Sequence, residues 1–157
     1  MASLLALFAA APSPAPSVPA APRTLRVDYV HSGKAGEERF ALDGVALEGP
    51  WPGRPDRALD ESGLGKYRFE VRDAGGRVLF SRAFASIYGE WEGTAEAREV
   101  GRAFHESVRF PAPAAPVRVV IFGRGDAGGF KELWSVPVDP ASPLVDRAPS
   151  PAAGRVW

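Results

Sequence analysis

The chain has 157 residues, and its 19 basic and 19 acidic side chains cancel and are interspersed without long single-sign runs, so there is no basic tract to hold a nucleic-acid backbone. Cysteine is absent, which excludes a disulfide framework and any thiolate metal site. Asparagine and glutamine are absent as well, and arginine outnumbers lysine 16 to 3, a bias we read as GC-rich bacterial coding rather than as an arginine-based binding device.

Leu4 to Ala11 is a short apolar stretch ending in Ala9-Ala10-Ala11, a small-residue cleavage pattern too short to cross a bilayer as a helix. Pro12 to Pro22 holds five prolines, and five more fall between Pro137 and Pro151. Such segments are extended and bury nothing. The expected organisation is therefore a signal peptide and proline-rich linker over 1–22, one β-sandwich domain over 23–140, and a proline-rich tail or linker over 141–157. This implies a secreted or periplasmic protein with no transmembrane segment.

From Thr24 the hydrophobic period is two, which puts alternate side chains on opposite faces of a strand. Leu25, Val27 and Tyr29 share a face. After a turn over His31 to Glu38, the run Phe40, Leu42, Val45 and Leu47 fits two short strands or one bulged strand. Pro50-Trp51-Pro52-Gly53-Arg54-Pro55 lacks ladder donors and reads as a loop holding one large aromatic. Tyr67, Phe69 and Val71, then Asp73-Ala74-Gly75-Gly76, then Val78, Phe80 and Phe84 spell a β-hairpin. Thr94 is placed to cap one short helix over Ala95 to Val100, stopped by Gly101. Phe104, Glu106, Val108 and Phe110 alternate again. Val117 to Phe122 is nearly continuous apolar, as suits a strand buried on both faces. Phe130, Glu132, Trp134, Val136 and Val138 close the series. About eight strands with turn signals roughly every ten residues predict an all-β, two-sheet antiparallel sandwich with one short helix.

Several motifs invite chemistry that their context refuses. Gly123-Arg124-Gly125-Asp126-Ala127-Gly128 has dinucleotide-loop spacing, but no helix follows to receive a pyrophosphate, so it reads as a hairpin turn. The embedded Arg124-Gly125-Asp126 is too short to assign a receptor-binding role. His105-Glu106 opens like a zinc-binding His-Glu-x-x-His helix, yet position 109 is Arg, and a strand would put the two on opposite faces. The other histidine, His31, lies near a turn with Asp28 close by. Asp56, Asp60 and Glu61 lack a calcium-loop spacing. No catalytic, cofactor-binding or metal-binding residue is assigned, and no cofactor is expected. Trp51, Tyr88, Trp91 and Trp134 fall on loops and strand ends. They read either as packing at the sandwich ends or as a contact surface, for which Trp51, Tyr88 and Trp91 are the candidates.

The chain resembles the N-terminal domain of the IgA peptidase family of secreted zinc metallopeptidases (metallopeptidase family 64). The likeness runs through Arg26-Val27-Asp28-Tyr29 with His31 and Gly33, Pro50-Trp51-Pro52-Gly53, and Gly65-Lys66-Tyr67-Arg68-Phe69-Glu70-Val71. It continues through Phe84-Ala85-Ser86-Ile87-Tyr88-Gly89-Glu90-Trp91, Phe104-His105-Glu106-Ser107-Val108-Arg109-Phe110-Pro111, and Trp134-Ser135-Val136 with Asp139-Pro140. The resemblance implies an immunoglobulin-like sandwich ahead of a peptidase domain that performs the hydrolysis. The zinc ligands and general base of that later domain have no counterpart positions in these 157 residues. The expected role is thus a non-enzymatic accessory domain whose partner is a zinc peptidase catalytic domain or its protein substrate. The alternative is an independent secreted module that binds glycan or a cell-envelope partner through surface aromatics.

Overall fold

The structure, a computed structural model, describes residues 21–54, 56–125 and 128–147. The expected signal peptide, most of the expected first linker, the Asp126 end of the Arg-Gly-Asp tripeptide and the last ten residues lie outside the described residues. Seven strands are present: β1 (Arg23–Lys34), β2 (Glu37–Pro50), β3 (Tyr67–Arg72), β4 (Val78–Phe84), β5 (Arg102–Pro111), β6 (Val117–Arg124) and β7 (Phe130–Val138). They form a three-stranded sheet in the order β2-β1-β5 and a four-stranded sheet in the order β4-β3-β6-β7. Every strand pairing is antiparallel. The sandwich is the expected one, with seven strands rather than about eight because Phe40 to Leu47 belongs to one long β2, whose pairing with β1 slips between Arg23 and Leu25 and again between Asp28 and Tyr29. In an immunoglobulin domain the second strand sits between the first and the fifth, whereas here the first strand takes that central place.

Alternation explains the core. Leu25, Val27 and Tyr29 of β1, Val108 and Phe110 of β5, Tyr67, Phe69 and Val71 of β3, Phe80 of β4, and Val119 and Ile121 of β6 are all buried in one cluster between the sheets. β6 is central in its sheet and is buried on its outer face as well: Val120 and Phe122 are closed over, with the guanidiniums of Arg68 and Arg72 lying 5.2 and 5.4 Å from the Phe122 ring. Between β6 and β7 Gly125 N–H donates to Gly129 O at 2.8 Å, and the described residues that follow enter strand β7 at Phe130 rather than a helix.

The expected helix over Ala95 to Val100 is corrected. The α-helix is α1 (Ile87–Trp91), and Glu96–Arg98 forms one 3₁₀ turn. Thr94 Oγ1 does accept from Ala97 N–H at 3.3 Å, but the segment has too few residues before β5 to propagate a helix. Ser86 caps α1 by accepting from Gly89 N–H at 2.8 Å. A Cβ at position 89 would come within 2.6 Å of the Tyr67 ring, so glycine lets the helix lie directly on β3.

Two sheet edges are covered by other parts of the chain. Asp146 brackets β2, donating to Val45 O at 2.8 Å and accepting from Leu47 N–H at 2.7 Å, while Val145 joins the core. The packed region thus reaches Arg147. Along β4, Ser81 N–H donates to Ala58 O at 3.0 Å, and Ala83 N–H donates to Asp60 Oδ2 at 2.8 Å. Asp60 therefore has a structural task in the loop where a calcium site was considered. No helix among the described residues is long and apolar enough to cross a membrane.

Candidate functional site

β1 and β5 bring one base and one acid onto their inward faces. His31 continues the series Leu25, Val27, Tyr29, and Glu106 lies in the series Phe104, Val108, Phe110. The His31 side chain is 1% exposed. Its Nδ1 lies 3.3 Å from Glu106 Oε2 and its Nε2 lies 3.0 Å from Glu38 Oε2. Both ring nitrogens face carboxylates, an arrangement that favours the doubly protonated ring. Phe40 and Tyr88 stack on its two faces with centroids 4.0 Å away.

Each carboxylate has a further donor. Tyr88 N–H donates to Glu106 Oε1 at 3.1 Å, and the Tyr67 hydroxyl donates to Glu38 Oε2 at 3.2 Å. The cluster therefore ties β1, β2, β3, β5 and α1 together at one end of the sandwich. Burial works against the charge on His31, but the hydrogen bonds to Glu106 and Glu38 outweigh it and hold its pKa above the ordinary value. Burial likewise opposes the Glu106 charge, and the His31 and Tyr88 donors overcome it and hold the carboxyl below its usual range. Burial, reinforced by Glu106, pushes the Tyr29 hydroxyl up.

This arrangement fixes structure and offers a substrate no approach to the His31 ring, although Glu106 and Tyr29 also line an open cavity on the neighbouring surface. Both edges of the imidazole are taken and both faces are covered. The two carboxylates sit at opposite nitrogens and so diverge from any common point. No group of three His, Cys, Asp or Glu side chains among the described residues could hold a metal ion. His105, the neighbour of Glu106, points the other way: its side chain is 77% exposed, with Nδ1 3.2 Å from Asp43 Oδ2. That is the opposite-face placement expected of a strand. Beside it an open cavity of about 420 Å³ is lined by Asp28, Asp43, Ser86, Ile87, His105 and Ser107, among others.

The three candidate contact residues do not make one surface. Tyr88 is fully buried; its hydroxyl donates to Lys34 O or Glu37 O, each 2.9 Å away, and solvent cannot reach its ring. Trp91 is half-buried against Tyr88 and Phe104 at 5.7 and 5.5 Å, and its Nε1 donates to Glu96 Oε2 at 3.1 Å. Trp51 follows the last residue of β2, which pairs with Arg23 at the start of β1, whereas Tyr88 grips the turn at the end of β1. The full length of β1, roughly 12 residues at about 3.3 Å each, separates them. Trp51 packs edge-on to Phe80 at 5.6 Å, and its buried Nε1 has no hydrogen-bond partner among the described atoms. Trp134 stacks on Phe40 at 6.0 Å, where β2 faces β7.

Sequence reasoning placed His31 beside Asp28 and missed Glu38 and Glu106. The signal was nonetheless present, since a histidine and a glutamate each stand in an inward-facing apolar series, where a lone charge is untenable without a partner.

Compared with known families, residues 18–135 match the one described as Peptidase M64 N-terminus. That span takes in β1 through most of β7. No curated protein matches the chain.

Proposed function

The chain belongs to the peptidase M64 family, through that family's N-terminal domain, and on this premise we propose that it is a non-catalytic accessory domain of a secreted zinc metallopeptidase of the IgA-cleaving type. It serves to pack against, position or help fold the neighbouring catalytic domain, or to contact that enzyme's substrate. The observation that carries this reading is the sealed state of His31: the best-organised polar cluster in the sandwich is spent on joining strands to α1. The end of the molecule that the cluster braces supplies the contact surface. Ile87 is 60% exposed and lies one helical turn before Trp91, with Tyr88 beneath them as the anchor.

The test is to mix the purified chain with a separately produced M64 catalytic domain and to follow association by calorimetry and recovery of peptidase activity on refolding. We expect association, at least a twofold gain in recovered activity, and weakening of both by Trp91→Ala. Chelator-sensitive hydrolysis by the chain alone would overturn the accessory role. A shift in tryptophan fluorescence on titration with polysaccharide, without any effect on the peptidase domain, would replace it with the glycan-binding reading.

A further inference from the structure

The two sheets end in β2, β5, β4 and β7, and among the described residues one of these edges is left open. β2 is bracketed by Asp146, and β4 is capped by Ala58 and Asp60. β7 pairs with β6 through a register slip and carries Pro137, devices that blunt an edge. β5 pairs with β1 without a slip and meets proline only at its last residue, Pro111. Ala112 N–H donates to Arg23 O at 2.7 Å, continuing the β1–β5 register. Hydrogen-bonded pairs alternate along an antiparallel ladder, so Phe104, Glu106, Val108 and Phe110 turn their backbone groups to β1. His105, Ser107 and Arg109 turn theirs away, and no described backbone group meets them there.

These open rungs border the cavity of about 420 Å³, which is lined by His105, Glu106 and Ser107 of β5 and by Phe84 to Ile87, the link from β4 to α1. Asp28, Asp43 and Glu106 line it too, and no lysine or arginine does. Asp28 is taken by Arg26 and Glu106 by His31. Asp43 bonds to His105 alone, through Oδ2; its side chain is half exposed and its Oδ1 accepts no hydrogen bond among the described residues. Asp43 leans across β1 to reach His105, so a cation on a strand added beside β5 has one strand spacing, about 4.8 Å, to cross. We infer that the free edge of β5 is a docking site for an extended segment of a partner polypeptide, added antiparallel to His105–Arg109, with basic side chains turned to Asp43 and apolar ones to Phe84 and Ile87. In this mode main-chain hydrogen bonds supply affinity and alternate side chains supply specificity. A second copy of this chain fits less well, because the cation it would bring, Arg109, is already held by Glu48 at 3.0 Å. The inference goes beyond the accessory reading and stands whether or not a catalytic domain associates.

The probe is a capped octapeptide of alternating Lys and Val, titrated into isotopically labelled chain. Saturable slowing of hydrogen exchange at the His105, Ser107 and Arg109 amides is the expected result. N-methylation of every Lys amide removes the donors that face β5 and should weaken Kd at least tenfold. N-methylation of every Val amide alters groups that face away and should leave Kd within threefold; neither change touches the chain itself. Asp43→Lys should weaken Kd at least tenfold and Asp43→Asn severalfold, whereas Glu132→Lys, an equal charge reversal on the other sheet, should leave it within twofold. The inference fails if the three amides gain no protection, if the Lys-methylated peptide binds as well as its parent, or if Glu132→Lys weakens binding as much as Asp43→Lys. Equal binding of an octapeptide of alternating Glu and Val would overturn the choice of a basic segment. Protection of the same amides in a dimer of the free chain would give the edge to a second copy instead.

Discussion

The two ends of the sandwich are closed by different physics. At the end where β1 begins, Trp51 lies edge-on to Phe80, and a Cβ at position 53 would come within 2.6 Å of the indole, so the loop folds back flat against its own ring. This plug is apolar, and its one polar atom, Nε1, is unpaired. At the α1 end, the His31 ring is clamped between the carboxyl groups of Glu38 and Glu106. The lesson is that one sheet pair can be sealed by dispersion and hydrophobic burial at one end and by a buried ion network at the other. The first is indifferent to protons and the second is governed by them.

The sharpest way to break the comparison is to remove one carboxylate. Glu106→Ala leaves His31 buried with half its partners and frees the Tyr88 N–H, and by the usual cost of breaking a buried pair it should lower stability by about 3–5 kcal/mol, read from urea midpoints. A loss under about 1 kcal/mol would mean that the cluster is not an ion pair. Trp51→Ala opens the apolar end and should cost about 2–4 kcal/mol, somewhat below a fully buried aromatic because the residue is only partly buried. That loss should be equal at pH 5.5 and pH 9.

The wild-type pH dependence separates the ends further. His31 has its folded pKa raised above 6.5, so its contribution is complete below the unfolded value and is lost as pH climbs through the folded one. Glu106 is lowered from 4.5, so its contribution is present above that value and is lost as pH falls through the folded one. Stability should therefore be greatest between the two titrations and decline on the alkaline side. The decline should persist in Trp51→Ala and vanish in His31→Phe, as measured by urea unfolding at half-unit pH steps from 5 to 9.5. The smallest effect is expected of Trp51→Phe, which deletes an unpaired donor along with part of the plug and should change stability by no more than about 1 kcal/mol.

Much of the architecture was legible because alternation is a local signal. The β3–β4 hairpin, the doubly buried β6 and the opposite-facing His105 and Glu106 all follow from period two and turn residues. α1 was not legible: its five residues include Gly89 and are too few to show a helical period. It exists because Tyr88 fills a space against His31 and Ser86 caps it, and both are tertiary facts. The His31 site was half legible. The inward register of His31 and Glu106 can be read from their strands, but the Glu106 partner lies 75 residues away in sequence, and nothing local announces that pairing. The separation of Trp51 from Trp91 was equally hidden, since it depends on which end of β1 each loop meets.

The Asp60 carboxylate on the rim of β4 has a consequence for how the molecule behaves in a crowd. Bonded to Ser62 and to the Ala83 N–H, its carboxyl is held down at about 2, so it stays ionised well into acid. While ionised it occupies a rung of the ladder that a strand from another molecule would need. Its main protection is therefore against self-association: Asp60→Ala would show itself first as turbidity on storage, before any change in the temperature of melting.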